Sequence, residues 1–515
     1  MGLARSYAIA LVGVVGHMVE VEAHVSNGLP AVIMVGLPDT ALREARDRIR
    51  AAILNSDLKW PDNKITIGLS PASLPKRGSG FDLSIAVAIL AASADAATPM
   101  HVPRRAVFVA ELGLDGRLRP VPGVLPAVVA AAGAGIDTVV VAGPNRAEAA
   151  LVPGLTVVAA TWLPEVVMWL RGGPRPAALA PVPESAPPAR EGQRPGRDMS
   201  EVLGQYEARR AVEVCAAGGH NLSLLGPPGA GKTMLAERLP SILPRLTRQA
   251  ALEVTSIHSV AGKLPAGSEL LSEPPFCAPH HTASMPAIVG GGSSSAIKPG
   301  AASLAHRGVL FLDEAPEFHR NVLDALRQPL EAGEVVIARQ GMITRFPARF
   351  TLVLAANPCP CAQADSGGAG CDCSPATRRR YLGRLSGPLM DRVDVKVRLD
   401  PVSRAAMLGG HQAAENSAVM ADRVAQARER AALRLTGTPW QVNAEIPGAE
   451  LRKSFPLPPG ALDLLDRAME LGQVSARGAD KIIRVTWSLA DLAGKARPTA
   501  QEANEAIGLW LGVPR

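Results

Sequence analysis

The chain has 515 residues, 47% hydrophobic and 20% charged, enough to build two to four globular domains and too apolar for a disordered chain. Basic residues outnumber acidic ones 54 to 47, and the net charge of +7 permits a polyanionic partner without requiring one. Aromatics at 3% argue against a base-stacking platform as the main device.

Near the N-terminus an apolar run, Ala8 to Val15, leads into Val19, Val21, Ala23 and Val25, which alternate with Glu20, Glu22 and His24. That alternation reads as a half-buried strand continuing from the run, and no cleavage site follows, so a signal peptide is not expected. Further strands are predicted at Ile65–Leu69, Ala106–Ala110 and Thr138–Ala142, with helices at Asp39–Leu54 and Leu83–Ala92. The most apolar stretch, Val121 to Gly143, is broken by Pro122, Pro126, Gly133, Gly135 and Asp137. It reads as helix, turn and strand, not as a membrane span, so no membrane partner is expected and the chain is read as cytoplasmic. Its six cysteines are then expected to be reduced.

Residues 171–198 carry prolines at 174, 176, 181, 183, 187, 188 and 195 without apolar periodicity, and mark a semi-extended linker. It divides a mixed strand-and-helix domain, 1–170, from a nucleotide-binding module, 199–400. From 401 to 515 the chain is mainly helical, with Ala413–Leu435, Gly460–Leu471 and Gly478–Gly494 the clearest helices.

The most informative element is the octapeptide Gly226, Pro227, Pro228, Gly229, Ala230, Gly231, Lys232, Thr233. It fits the G-x-x-x-x-G-K-[ST] phosphate-binding loop without a mismatch. Glycines let consecutive amides face phosphate oxygens, Lys232 would reach the β- and γ-phosphates, and the Thr233 hydroxyl would complete a Mg²⁺ shell. A buried strand, Asn221–Leu225, precedes it and a helix, Met234–Leu239, follows. Farther along, Gly308–Glu314 is a hydrophobic run ending in two acids, as a buried parallel strand delivering carboxylates to its C-terminal edge would read. Asp313 would hold Mg²⁺ and Glu314 would polarise the attacking water. A third strand, Phe350–Ala356, ends at Asn357, whose amide could orient the same water. ATP and Mg²⁺ are the expected cofactors.

Cys359-x-Cys361 and Cys371-x-Cys373, nine residues apart, could close a tetrahedral Zn²⁺ site and staple a polar loop. Cys215 and Cys277 read as packing residues. His280 and His281 are adjacent and would point apart on a strand, which disfavours shared metal ligation.

These motifs resemble those of the AAA+ ATPases, and within them the magnesium-chelatase-like family usually called YifB or ComM. The likeness covers nearly the whole chain and rests on Gly204–Arg210, Ala278–Ser284, Ser303–His306, Ala356–Cys361 and Ser386–Asp394. It implies an α/β multidomain fold: a Lon-protease-like α+β first domain of the ribosomal-S5-domain-2 type, an AAA+ P-loop core and a C-terminal helical lid. By resemblance Arg392 is an arginine finger reaching a neighbouring subunit's γ-phosphate, which implies a homo-oligomer, most simply a hexamer, and Arg477 is a second sensor from the lid. The segments His280–Gly300 and Glu334–Phe350 resemble inserts that face a central pore, making Lys298, Arg339 and Arg345 candidates for a DNA backbone. The implied function is a DNA motor for branch migration or unwinding in natural transformation. The alternative is a chelatase-type or chaperone-like ATPase that remodels a protein.

The sequence departs from that family at Cys277, where arginine is expected, and lacks a glycine after Cys361. In the first domain, Ser73–Gly80 and Arg117–Val124 parallel the segments carrying Lon's serine and lysine. Aligned, those positions fall on Gly80 and Leu125, with Ser79 one residue off, so no peptidase activity is expected.

Overall fold

A computed structural model describes residues 2–36, 40–76, 78–96, 98–176, 197–265, 267–293, 296–339, 342–361, 371–402 and 415–512. Most of the expected linker, 177–196, and the first residues of the helix expected from Ala413 lie outside these.

The N-terminal part is a seven-stranded mixed sheet. Its strands are β1 (Gly2–Val12), β2 (Val15–Ser26), β3 (Ala31–Val35), β4 (Lys64–Ser70), β5 (Ala106–Val109), β6 (Thr138–Ala142) and β7 (Thr156–Ala160), in the order β3-β4-β2-β1-β5-β6-β7. The expected single strand through the N-terminal apolar run is a hairpin instead, pairing Gly2 with Val25 through to Val12 with Val15. Gly13, at φ +67°, opens the two-residue loop; a valine following it hid the turn within an apolar run. The alternation beyond the turn places Val19, Val21, Ala23 and Val25 in the core.

Why several of these strands read as unbroken apolar runs follows from the two faces of the sheet. Ala106, Phe108, Val140 and Ala142 join one core with the almost entirely buried helix Asp82–Ala92. Val107, Val109, Val139 and Val141 join another with the helix Val124–Gly133. Successive side chains point to opposite faces, and both faces are covered.

The second sheet is all parallel: β8 (Leu222–Leu225), β9 (Phe276–Cys277), β10 (Val309–Leu312), β11 (Thr351–Ala356) and β12 (Val395–Arg398), ordered β9-β10-β11-β8-β12. The same two-face logic recurs. Leu222, Leu224, Val309, Phe311, Val353 and Ala355 face one core, while Leu310, Leu312, Leu352 and Leu354 face the other. Each leucine, valine or phenylalanine among them contributes about 2 kcal/mol on burial, so the strands are held at both faces and their C-terminal ends are fixed. The fold is thus mixed α/β, in several units, with a parallel-sheet core.

The C-terminal helices are Ser417–Arg434, Gly448–Ser454, Pro459–Glu470, Ala476–Leu492 and Ala500–Leu511. Asn416, Ser475 and Thr499 cap three of them with side-chain oxygens. They share a core with the helix Tyr206–Gly218 and β12. Buried polar contacts accompany this apolar packing. Arg428 donates to the Ala216 carbonyl at 2.6 and 2.8 Å, Lys481 pairs with Asp394 at 2.6 Å, and Arg434 holds Asp491 through two 2.6 Å bonds. The first domain meets the rest where Gly123 N donates to the Ser259 carbonyl at 3.2 Å, Glu148 meets the Ser259 hydroxyl, and Gly13 lies against the Arg345 carbonyl and the Thr344 methyl. Among the described residues no helix is long and apolar enough to cross a membrane.

A candidate nucleotide site at the sheet edge

The phosphate-loop residues bridge the end of β8 and the helix Lys232–Arg238. Gly229 and Gly231 adopt φ +76° and +92°, and a Cβ on either would meet only open space, so conformation and not crowding demands glycine there. Gly226 is glycine for a different reason: a Cβ would lie 2.7 Å from the Leu399 carbonyl. Gln205, not singled out from the sequence, braces the loop from behind, donating to the carbonyls of Ala230 at 3.0 Å and Asp400 at 2.7 Å.

Lys232 is 8% exposed. Its ammonium donates to the Gly226 carbonyl at 2.6 Å, the Pro227 carbonyl at 2.9 Å and the Asn357 side-chain oxygen at 2.9 Å. Burial pushes its pKa down, opposed by Asp313 and Glu314. A buried cation in a shell of neutral acceptors is suited to a polyanion. The Thr233 hydroxyl donates to Asp313 Oδ2 at 2.8 Å, so the two oxygens expected around Mg²⁺ already adjoin each other. Asp313 Oδ1 accepts from Glu314 N at 2.9 Å. Glu314 itself sits at φ 49° and ψ 43°, the left-handed region, which costs a non-glycine residue about 1 kcal/mol. Lys232, Thr233, Asp313, Glu314 and Asn357 therefore gather at the C-terminal edge of three neighbouring parallel strands, where ligands of open α/β sheets bind.

Glu314 has a partner the sequence did not disclose. His281 Nδ1 lies 3.1 Å from Glu314 Oε2. The histidine pair is in a turn, not a strand, and its rings lie 4.1 Å apart, so the expectation that they point away from each other is corrected. His280 bonds the Thr282 hydroxyl at 2.8 Å, leaving His281 to face the acid.

Arg392 and Arg477 are elsewhere. The Arg392 carbonyl accepts from Asn221 Nδ2 at 2.9 Å, at the start of β8, whereas Lys232 bonds Gly226 past its end. Those two points are roughly 16 Å apart along the strand. Arg392 pairs with Glu331, its Nε has no partner, and burial followed by the charges of Arg477 and Arg327 lowers its pKa. Arg477 is 3.8 Å from Asp391 and 76% exposed. Arg327, which the sequence reading passed over, thus completes a cationic cluster at the opposite end of the sheet from Lys232.

Lys298 is exposed on the hairpin Gly291–Lys298, and Arg339 and Arg345 are exposed on the hairpin Glu334–Pro347. Arg345 is paired across its hairpin with Glu334. Cys359 and Cys361 lie immediately beyond Asn357, and Cys371 and Cys373 join them. Cys215 is fully buried in the main core, and Cys277 sits on edge strand β9, partly buried against the core that contains Leu310. In the first domain Leu125 is fully buried, Gly80 lies in a short turn, and the Ser79 hydroxyl donates to Glu111.

Three family models match the chain in succession: subunit ChlI of magnesium chelatase over residues 21–145, the magnesium chelatase subunit ChlI over 198–407, and its C-terminal part over 414–509. An uncharacterized protein of Mycobacterium tuberculosis is 48% identical over 507 residues, 98% of each chain. The competence protein ComM of Haemophilus influenzae is 41% identical over 509 residues, 99% of this chain and 97% of its own. The protein YifB of Salmonella typhimurium is 41% identical over 511 residues, 98% of this chain and 97% of its own.

Proposed function

The chain belongs to the YifB/ComM family of magnesium-chelatase-like proteins, and from that premise we propose that it is a Mg²⁺-dependent AAA+ ATPase working as a homo-hexameric ring on DNA. In this reading the first domain is a Lon-like module of the ribosomal-S5 type without peptidase residues, the parallel sheet is the ATPase core, and the terminal helices are its lid. The observation that carries the reading is the separation of Arg392 and Arg477 from Lys232 by the length of β8. One chain holds phosphate-binding groups at one sheet edge and arginines at the other, there paired with Glu331 and Asp391, so stacking the edges of two chains completes a site.

The amides of Gly229 to Thr233 and the Lys232 ammonium would hold the triphosphate, and the Thr233 hydroxyl with Asp313 would hold Mg²⁺, which supplies charge neutralisation at the phosphoryl oxygens. On binding, Lys232 exchanges its carbonyl partners for phosphate oxygens and frees Asn357 to orient water. Glu314 accepts the proton of that water once His281 releases its carboxylate. Arg392 and Arg477 of the adjoining subunit place fixed positive charge where the transition state accumulates negative charge.

DNA as the substrate is supported by the name of the Haemophilus relative, a competence protein, and by exposed Lys298 and Arg339 on paired hairpins. The test is ATP turnover with single-stranded, duplex and branched DNA. Stimulation by branched DNA is the expected result. Turnover indifferent to every DNA form would reject the motor and favour a chelatase-type or chaperone-like ATPase acting on a protein.

A further inference from the structure

We infer that Cys359, Cys361, Cys371 and Cys373 bind one Zn²⁺ ion, and that this ion is coupled to nucleotide binding because its loop also carries Asn357. The coupling rests on the nucleotide site proposed above; the metal site does not.

The four sulfurs all lie within 4.8 Å of one another. Cys359 and Cys361 are 3.0 Å apart, Cys361 and Cys371 3.4 Å, and Cys371 and Cys359 3.3 Å. These separations far exceed the roughly 2.05 Å of a disulfide. They approach the edge of a tetrahedron of thiolates around zinc, about 3.8 Å for a Zn–S distance of about 2.3 Å. They are too short to enclose the several metal and sulfide atoms of an iron–sulfur cluster. Four protein thiolates leave no open coordination position, so the ion would be structural. Thiols become ligands only by losing their protons, and the Arg378 guanidinium, donating to the Cys371 carbonyl at 3.3 Å, puts positive charge beside the resulting anionic centre.

The two knuckles join elements that matter to the nucleotide site. The first is the direct continuation of β11: Asn357 follows the last strand residue, Ala356, Pro358 stiffens the backbone, and fully buried Cys359 comes next. The second runs into the helix Pro375–Leu382, whose cap is Ser374 accepting from Thr377 N at 3.2 Å. Tyr381 of that helix is buried beside both Asn357 and Cys359; burial first, then nearby acids and the cysteine, pushes its phenol up to about 12. Zinc would therefore fix where β11 ends, and with it the Asn357 oxygen that Lys232 holds at 2.9 Å. Linkage makes this reciprocal: if zinc raises nucleotide affinity by some factor, nucleotide raises zinc affinity by the same factor.

The experiment uses the full chain purified with a reducing agent and no chelator. About one zinc per chain is expected, and Co²⁺ in its place should give the intense thiolate charge-transfer and tetrahedral ligand-field bands. Cys371→Ser and Cys373→Ser should lose metal while Cys215→Ser keeps it. Wild type lacking stoichiometric zinc and a cobalt–thiolate spectrum overturns the site; bound iron with labile sulfide overturns its identity. For the coupling, a non-hydrolysable ATP analogue should bind the zinc-loaded protein about 5- to 20-fold more tightly than the stripped protein. The analogue should tighten zinc by the same factor in competition with a chelator, a measurement that needs no stripped sample. Equal analogue affinity with and without zinc overturns the coupling and leaves the metal count standing. Failure of the analogue to bind either form overturns the coupling and the nucleotide reading together.

Discussion

Lys232, Glu314 and His281 separate three functions that substitution can distinguish. Lys232→Ala removes the only buried ammonium facing the phosphate loop among the described residues, and ATP-analogue binding measured by titration should be lost. Glu314→Gln keeps the shape and hydrogen bonding of the side chain but cannot take a proton. Analogue affinity should stay within a few-fold of wild type while turnover falls by about 10²–10⁴. Retained turnover would remove Glu314 from the role of base. His281 competes with water for the Glu314 carboxylate across 3.1 Å. His281→Ala should leave ATP affinity unchanged and raise basal turnover, and a fall in basal turnover would instead make the contact productive.

At the scale of elements, the C-terminal helices are bound to the parallel-sheet unit through buried polar and charged groups, so their attachment depends on pH. His220 is fully buried, bonds Ser488 Oγ at 2.8 Å, and has no partner at Nδ1. Burial lowers its pKa from 6.5 to about 4; Asp394 opposes this, while Lys481, Arg484 and Arg428 reinforce it. The unfolded chain thus binds more protons than the folded one between those values. The stability from keeping His220 neutral is complete above pH 6.5 and is lost as pH falls toward 4, by up to about 3 kcal/mol. Denaturant unfolding at pH 7 and 4.5 should show that loss, and His220→Gln should flatten it; an unchanged acid limb would contradict the assignment. Lys481→Met should cost about 3–5 kcal/mol by leaving Asp394 buried without its cation, with part recovered when Asp394→Asn is added.

The elements also show where sequence reading succeeds. Apolar runs bounded by turns placed β5, β6, β8, β10 and β11 closely, because strands buried on both faces carry an unbroken signal. The hairpin at Gly13 was missed because one glycine in an apolar run is a weak turn signal. Asp313, Glu314 and Asn357 were legible as strand-end residues. Their contacts with Thr233, His281 and Lys232 were not, since parallel-strand order depends on pairing between segments far apart in the chain. Arg327 carries no local signal, and Gln205 lies in a family-like stretch that assigns it no role; only the tertiary packing sets them beside Arg392 and behind the phosphate loop.

For the whole molecule, the decisive feature is polarity of the sheet: binding groups at its C-terminal edge, a cluster of Arg327, Arg392 and Arg477 at the other. In the proposed ring a monomer carries only part of the site, so turnover per chain should rise with protein concentration and follow the assembled fraction measured by sedimentation. Mixing two inactive variants, Arg392→Ala and Lys232→Ala, decides whether the site is shared between subunits. The first keeps the phosphate loop and the second keeps the arginines, so mixed assemblies should regain ATP turnover in proportion to their hybrid interfaces. Mixtures that co-assemble yet stay as inactive as the separate variants would contradict a site shared between subunits.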